Sequence, residues 1–203
     1  MPLPRYFRLP TERRRHVLDV ARAHFATDGL GTASYNKIIA AAGISKTSAY
    51  QYFDGRDDLL TAVVADARER LADTLGTWPG TLTRADFWRE LRAGATRLLA
   101  HLQATPADLA VAVATITVDA DRRLEEWLDA MLADGRALGL VQPEVDPELM
   151  RAATAAVVRA ANGWLATRLD TARPRVPAEP QVPAELWRLL VGLWSAPEPV
   201  DAD

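Results

Sequence analysis

The 203-residue chain reads as all-α: an N-terminal three-helix unit built around a helix-turn-helix, followed by a C-terminal helical bundle. Two observations predict this. Apolar residues recur at spacings of three and four along the chain, and no stretch shows the period of two that marks a strand. The apolar stretches are also punctuated as helices are. Gly29, Gly43, Gly76 and Gly139 stand where helices stop, while Ser34, Ser45, Pro106 and Asp146-Pro147 stand where helices start.

Residues 1–10 contain three prolines and are expected to form a flexible arm whose Arg5 and Arg8 reach a groove or a phosphate, or stay solvated. Thr11 is a plausible cap for the first helix, with Val17, Leu18, Ala21 and Phe25 on its apolar face and Gly29-Leu30-Gly31 ending it. Residues 34–53 then read as two short helices joined by a tight turn. Ser34 and Ser45 can each cap one of them, and Gly43 occupies the turn position that commonly needs a positive φ. Ile38, Ala42, Ile44, Ala49 and Phe53 can share a small core. The second short helix is left with Lys46, Thr47, Tyr50 and Gln51 facing outward, a row of donors on an exposed helix of the kind that enters a major groove.

A longer helix starts near Arg56, with Asp57 and Asp58 favourably placed in its first turn, and runs through Leu59, Leu60, Val63, Val64, Ala67, Leu71 and Leu75 to Gly76. That is too long for the small head alone, so it should connect head to body. Trp78-Pro79-Gly80-Thr81 reads as a turn. Helices follow over Arg84–Gln103, from Pro106 through Ile116, over Asp119–Leu138 and from Asp146 to about residue 169. Residues 171–183 form a proline-rich loop, Ala184–Ser195 the last helix, and residues 196–203 an acidic tail expected to be disordered.

Composition narrows the function. The chain is 49% hydrophobic and 25% charged, with no cysteine, so disulfides and thiolate chemistry are excluded. His16, His24 and His101 lack metal-type spacing. No apolar run spans a bilayer and no signal-peptide core is present, so a cytoplasmic protein without a membrane partner is expected. Residues 1–57 hold nine basic and five acidic residues, against 15 and 22 in the remainder. A basic head on an acidic body suits a head that meets phosphate, although a gap this small counts only together with the motif. There is no Gly-rich phosphate loop, no Gly-x-Ser-x-Gly elbow and no placed carboxylate–histidine pair, so nothing supports an enzyme or a cofactor.

Ser34, Ile38-Ile39, Ala42-Gly43-Ile44-Ser45, Tyr50-Gln51-Tyr52-Phe53 and Arg56-Asp57-Asp58-Leu59-Leu60, preceded by Arg13, Val17-Leu18, Ala21, Phe25 and Gly29, resemble the TetR family of transcriptional regulators. The likeness covers about the first third of the chain. It departs from the family pattern at Ile39, where a small Ala is usual, and at Arg56, where a Lys is usual.

The resemblance implies a DNA-binding domain over 1–56 and an effector-binding and dimerisation domain over 57–203. It implies a homodimer built through residues 146–169 and 184–195, a double-stranded, pseudopalindromic operator, and release by a small-molecule effector. It also implies DNA contacts at Tyr35, Asn36, Lys46, Thr47, Ser48, Tyr50, Gln51, Tyr52 and Arg56. Lys46 can donate to a guanine edge, and Gln51 or Asn36 can pair with adenine. Thr47, Ser48, Tyr50, Tyr52 and Arg56 suit phosphates, while Ser48 and Tyr52 equally suit packing. Phe87, Trp88, His101, Trp127, Met131 and Trp164 could line the effector pocket, which would then favour a mostly hydrophobic ligand. The same residues would also fill a solid core, and His101 suits a structural role. A helix-turn-helix protein that binds DNA without any effector is the alternative.

Overall fold

The computed structural model describes residues 1–114, 122–170 and 182–195, with side chains described for all of these except 112–114 and 166–170. After a 3₁₀ turn at Tyr6–Arg8, the helices are α1 (Thr11–Asp28), α2 (Tyr35–Ala41), α3 (Lys46–Tyr52), α4 (Arg56–Leu75), α5 (Arg84–Ala104), α6 (Pro106–Ala114), α7 (Arg122–Ala137), α8 (Pro147–Asp170) and α9 (Ala184–Trp194). Among the described residues there is no strand. The expected continuation of α6 to Ile116, the stretch 119–121, most of the proline-rich loop and the acidic tail lie outside the described residues. The chain forms two compact units, Met1–Leu71 with Leu102–Val118, and Ala72–His101 with Asp119–Asp203.

In the first unit the apolar stripe of α1 (Val17, Leu18, Ala21, Phe25) packs with Ile38, Ile39, Ala42, Ile44, Ala49 and Phe53, under Leu59, Val63 and Ala67 of α4 and Val111 of α6. Ile39, bulkier than the usual alanine, is accommodated at 5% exposure. Three local expectations are corrected. The helix begins on Pro10 rather than on a Thr11 cap, since Pro10 O already accepts from Arg14 N at 3.0 Å. Ser34 flanks α2 but its hydroxyl makes no cap bond. Residues 1–10 are not a free arm: Leu3 N donates to Tyr52 O at 2.8 Å and Tyr6 is buried in the core, because an aromatic ring on a short turn gains more from burial than from solvation.

The first unit also encloses charge. Asp108 on α6 is fully buried, and the Arg22 side chain on α1 is 5% exposed. Arg22 Nε lies 3.1 Å from Asp108 Oδ1, and Arg22 Nη1 donates to Asp19 Oδ1 at 2.8 Å. Its Nη2 bonds Asp66 on α4. Arg70, one turn along α4 from Asp66, donates to Asp108 Oδ1 at 2.7 Å. Two guanidinium groups thus pair with three carboxylates drawn from α1, α4 and α6.

The second unit packs around Trp78, Phe87, Leu91, Met131, Leu132, Val141, Met150 and Trp194. Trp78, expected as part of a simple turn, is a core residue. Its indole Nε1 donates to Asp134 Oδ2 at 2.8 Å, and the Thr81 amide and hydroxyl donate to the same oxygen at 2.6 and 2.9 Å. Gly135 is required beside it, since a Cβ there would stand 2.7 Å from Val141 Cγ2. Asp146 caps α8 as expected, accepting from Glu148 N and Leu149 N at 2.9 and 3.0 Å. Trp194 Nε1 donates to Thr154 Oγ1 at 3.0 Å, joining α9 to α8.

Two measurable consequences follow from these buried charges. Asp108→Ala removes the fully buried carboxylate that Arg22 and Arg70 share, leaves Asp19 and Asp66 to pair with them, and should destabilise the protein by about 1–3 kcal/mol in denaturant unfolding, whereas replacing Arg22 and Asp108 together by apolar residues should recover most of the loss. A loss well below 1 kcal/mol for Asp108→Ala would mean that the cluster is solvated. Burial pushes the Asp134 carboxyl up, but the bonds from Trp78 and Thr81 outweigh it and hold the group below its ordinary value of 3.8. Its contribution is therefore complete above pH 3.8 and is lost as pH falls through the lowered value. Asp134→Asn should flatten the acid limb of the stability–pH curve, and an unchanged limb would assign the acid sensitivity to other carboxylates.

Candidate nucleic-acid interface

The site is built by the α2–turn–α3 segment. Gly43 takes φ +63°, and the bonds Ile44 N to Ile39 O (2.9 Å) and Gly43 N to Ala40 O (3.0 Å) close the C-terminus of α2. Arg13 on α1 locks this turn by donating from Nη2 to Gly43 O at 2.7 Å. Ser45 caps α3: its Oγ accepts from Ser48 N at 3.1 Å and donates to Ser48 Oγ at 2.9 Å. Ala49 is fully buried on the inner face of α3. With one face packed and the start capped, the orientation of the opposite face is set.

That outer face carries Lys46, Thr47, Tyr50 and Gln51, all exposed, with Tyr50 at 51%. Asn36 is exposed in the first turn of α2, as is Lys37 beside it. Tyr35 is half-buried. Its ring meets that of Tyr50 at 5.5 Å and 59°, and its hydroxyl donates to Phe53 O at 3.5 Å. Burial, reinforced by Tyr50, Asp58 and Asp54, pushes the Tyr35 phenol up to about 12, so it stays a neutral donor. Ser48 is half-buried and engaged with Ser45, and Tyr52 packs against the core. Arg56 is less available than its sequence position suggests. Its Nη1 donates to Leu30 O at 3.0 Å and also bonds Gly31 O, and its Nη2 donates to Asp57 Oδ1 at 2.6 Å.

Sequence reasoning missed the roles of Arg13 and Tyr6, since neither contact is local: Arg13 and Gly43 are thirty residues apart. An arginine on the polar side of α1 carries no signal that distinguishes a turn clamp from a solvated side chain.

The residues expected around an effector are distributed unevenly within the second unit. Phe87 and Met131 are buried at 0% and 1% exposure. Trp127 meets Trp78 edge to face at 5.1 Å, and Trp88 meets Phe87 the same way at 5.4 Å. His101 and Trp164 are half-buried on α5 and α8. Of these six, Trp88 borders a cleft of about 340 Å³ that Arg84, Gln142, Val191 and Trp194 also line. A second cleft of about 360 Å³ is bordered by Asp129, Arg136, Glu148 and Arg151 instead. Among the described residues no three His, Asp or Glu side chains are grouped as a metal requires, and no helix is long and apolar enough to cross a membrane.

A capped, seven-residue helix presenting donors over a packed three-helix head defines the chain as a helix-turn-helix DNA-binding transcriptional regulator. Residues 17–63 match the family model described as bacterial regulatory proteins, tetR family. Solved structures share the fold. SmeT, the repressor of the Stenotrophomonas maltophilia multidrug efflux pump SmeDEF, aligns with a TM-score of 0.62 at 17% identity over 89% of this chain and 85% of its own. The fatty acid degradation regulator FadR from Bacillus halodurans aligns at 0.63 and 17% identity over 88% and 96%. A TetR family transcriptional regulator from Chloroflexus aurantiacus aligns at 0.58 and 24% identity over 93% and 86%. The comparison with curated proteins finds no match.

The geometry separates two roles for Arg56. If it clamps the Leu30-Gly31 loop, Arg56→Ala should lower stability by about 1–2 kcal/mol, the loss of charged hydrogen bonds discounted for partial exposure, as well as weakening DNA binding. An unchanged unfolding midpoint with weakened binding would assign it to phosphate alone.

Proposed function

We propose that the protein is a homodimeric, cytoplasmic repressor that holds a pseudopalindromic operator through residues 1–56 and is released by a small, mostly hydrophobic ligand bound by residues 57–203. The observation that carries the DNA reading is the outer face of α3, where Lys46, Thr47, Tyr50 and Gln51 stand exposed on a helix whose other face is buried. Lys46 and Gln51 read base edges. Asn36 and Tyr50 flank them, while Thr47, Ser48, Tyr52 and Arg56 hold the backbone. Tyr35 steadies Tyr50.

The dimer reading is supported by Leu149 and Val158 on α8 and Leu189 and Val191 on α9, which are 63%, 44%, 58% and 40% exposed. Large apolar side chains standing in solvent on two helices suit burial against a second copy. Two-fold symmetry would set two recognition helices about 34–36 Å apart, one turn of duplex.

The ligand reading draws on the cleft beside Trp88 and Trp194, whose volume falls within the usual range for small-molecule sites of about 300–1,000 Å³. The acidic balance of residues 58–203 favours a cation over an anion. α4 contributes residues to both compact units, which makes it one covalent path from ligand to head. A second reading, DNA binding without an effector, is favoured by the tight burial of Phe87 and Met131.

Selection of bound duplexes from a random pool should enrich a palindrome, and enrichment of none would overturn the repressor reading. Lys46→Ala should then cost about 1–3 kcal/mol on the enriched operator and relax preference at one position in each half-site. Equal losses on operator and random DNA would move Lys46 to the backbone group. Sedimentation should find a dimer at micromolar concentration. In a thermal-shift screen, apolar or cationic compounds that stabilise the protein should also release operator, and stabilisation without release would favour the effector-independent reading.

A further inference from the structure

The turn that precedes α1 carries a second charged surface. Residues 1–10 contain Arg5 and Arg8 and no acidic residue, and residues 1–16 contain five arginines against Glu12 alone. The segment is tied to the end of the recognition helix. Leu3 N donates to Tyr52 O, at the last residue of α3, and the buried Tyr6 ring lies 4.8 Å from that of Phe53, the residue that ends α3. The turn closes on itself through Tyr6 N to Leu3 O at 2.9 Å and Arg8 N to Arg5 O at 3.3 Å. With Tyr6 inward, Arg5 and Arg8 are both exposed. Burial pushes the Tyr6 phenol up to about 12, so it adds no negative charge beside them.

We propose that Arg5 and Arg8 bind backbone phosphates of the duplex that α3 enters, just outside the half-site, and so extend the footprint of each head. This rests on the DNA-binding reading above. A recognition helix presents its N-terminal residues to base edges, so its C-terminal end stands toward the groove rim, where phosphates line the wall. The 3₁₀ turn is fastened at that end. Because Leu3 and Tyr6 anchor it, the backbone of the turn is ordered on folding, and the entropy left to be lost when the arginines meet DNA is the rotamer freedom of their two side chains. Guanidinium groups suit the partner, since they remain charged and match phosphate oxygens in pairs.

The test compares the full-length parent with R5A/R8A and R5K/R8K, using the selected operator and a random duplex across a salt series. R5A/R8A should bind both duplexes about tenfold or more weakly, and its slope of log affinity against log salt should shrink by about 0.9 for each phosphate it no longer neutralises. R5K/R8K should keep the parental slope, and thermal midpoints should agree because both side chains are exposed. A parent that binds while R5A/R8A binds equally well with the same slope overturns this inference alone. Weakening that depends on the flanking base pairs also overturns it, because it assigns the arginines to base edges. A parent that enriches no duplex overturns the DNA reading, and this inference with it.

Discussion

The first unit depends on one constraint: Asp108 is ionisable, carries no exposed surface, and must be neutralised where it stands. Arg22 reaches it from α1 and Arg70 from α4, with Asp19 and Asp66 sharing the same two guanidinium groups. Charged hydrogen bonds are directional, so Arg22 and Arg70 satisfy Asp108 in few relative placements of their helices. The cluster therefore specifies how α1, α4 and α6 meet more than it adds to stability. α1 then supplies the floor on which α2 and α3 pack and, through Arg13, the lock on their turn.

The recognition helix inherits its rigidity from that chain of dependence. It has only seven residues, too few to hold helical structure in isolation. Ser45 at its start, Ala49 beneath it and Phe53 beyond its end hold it from three sides. The backbone beneath the exposed donors is thereby fixed by the fold itself. Tyr35 adds to this from α2, giving up part of its own exposure to place its ring against Tyr50.

The second unit is organised by close approach and by a single polar anchor. Asp134 gathers the Trp78-to-Thr81 segment onto α7, and its neighbour Gly135 lets Val141 and the Phe87 ring come within contact distance. The resulting aromatic group draws rings from α5, α7, α9 and the connection before α5. α8 and α9 are joined by the Trp194–Thr154 bond yet keep apolar side chains in solvent, so their inner faces are satisfied and their outer faces are not.

By itself the sequence determined the helical class, the order of the helices, the positive-φ glycine of the turn, the Ser45 and Asp146 caps and the apolar faces of α1, α2 and α3. Each is written in spacing or in a residue's own backbone preference, within one or two turns of chain. It also placed Lys46, Thr47, Tyr50 and Gln51 on the outer face of α3, because on so short a helix the face opposite the apolar residues is the only one left. Tertiary structure decided the rest. It buried Tyr6, drew Arg56 toward Leu30 and Gly31, joined Arg13 to Gly43, and assembled Arg22, Arg70 and Asp108 into one cluster. Charged and aromatic side chains suit solvent, a partner or a core equally well on local evidence, and only the residues that folding brings beside them settle which.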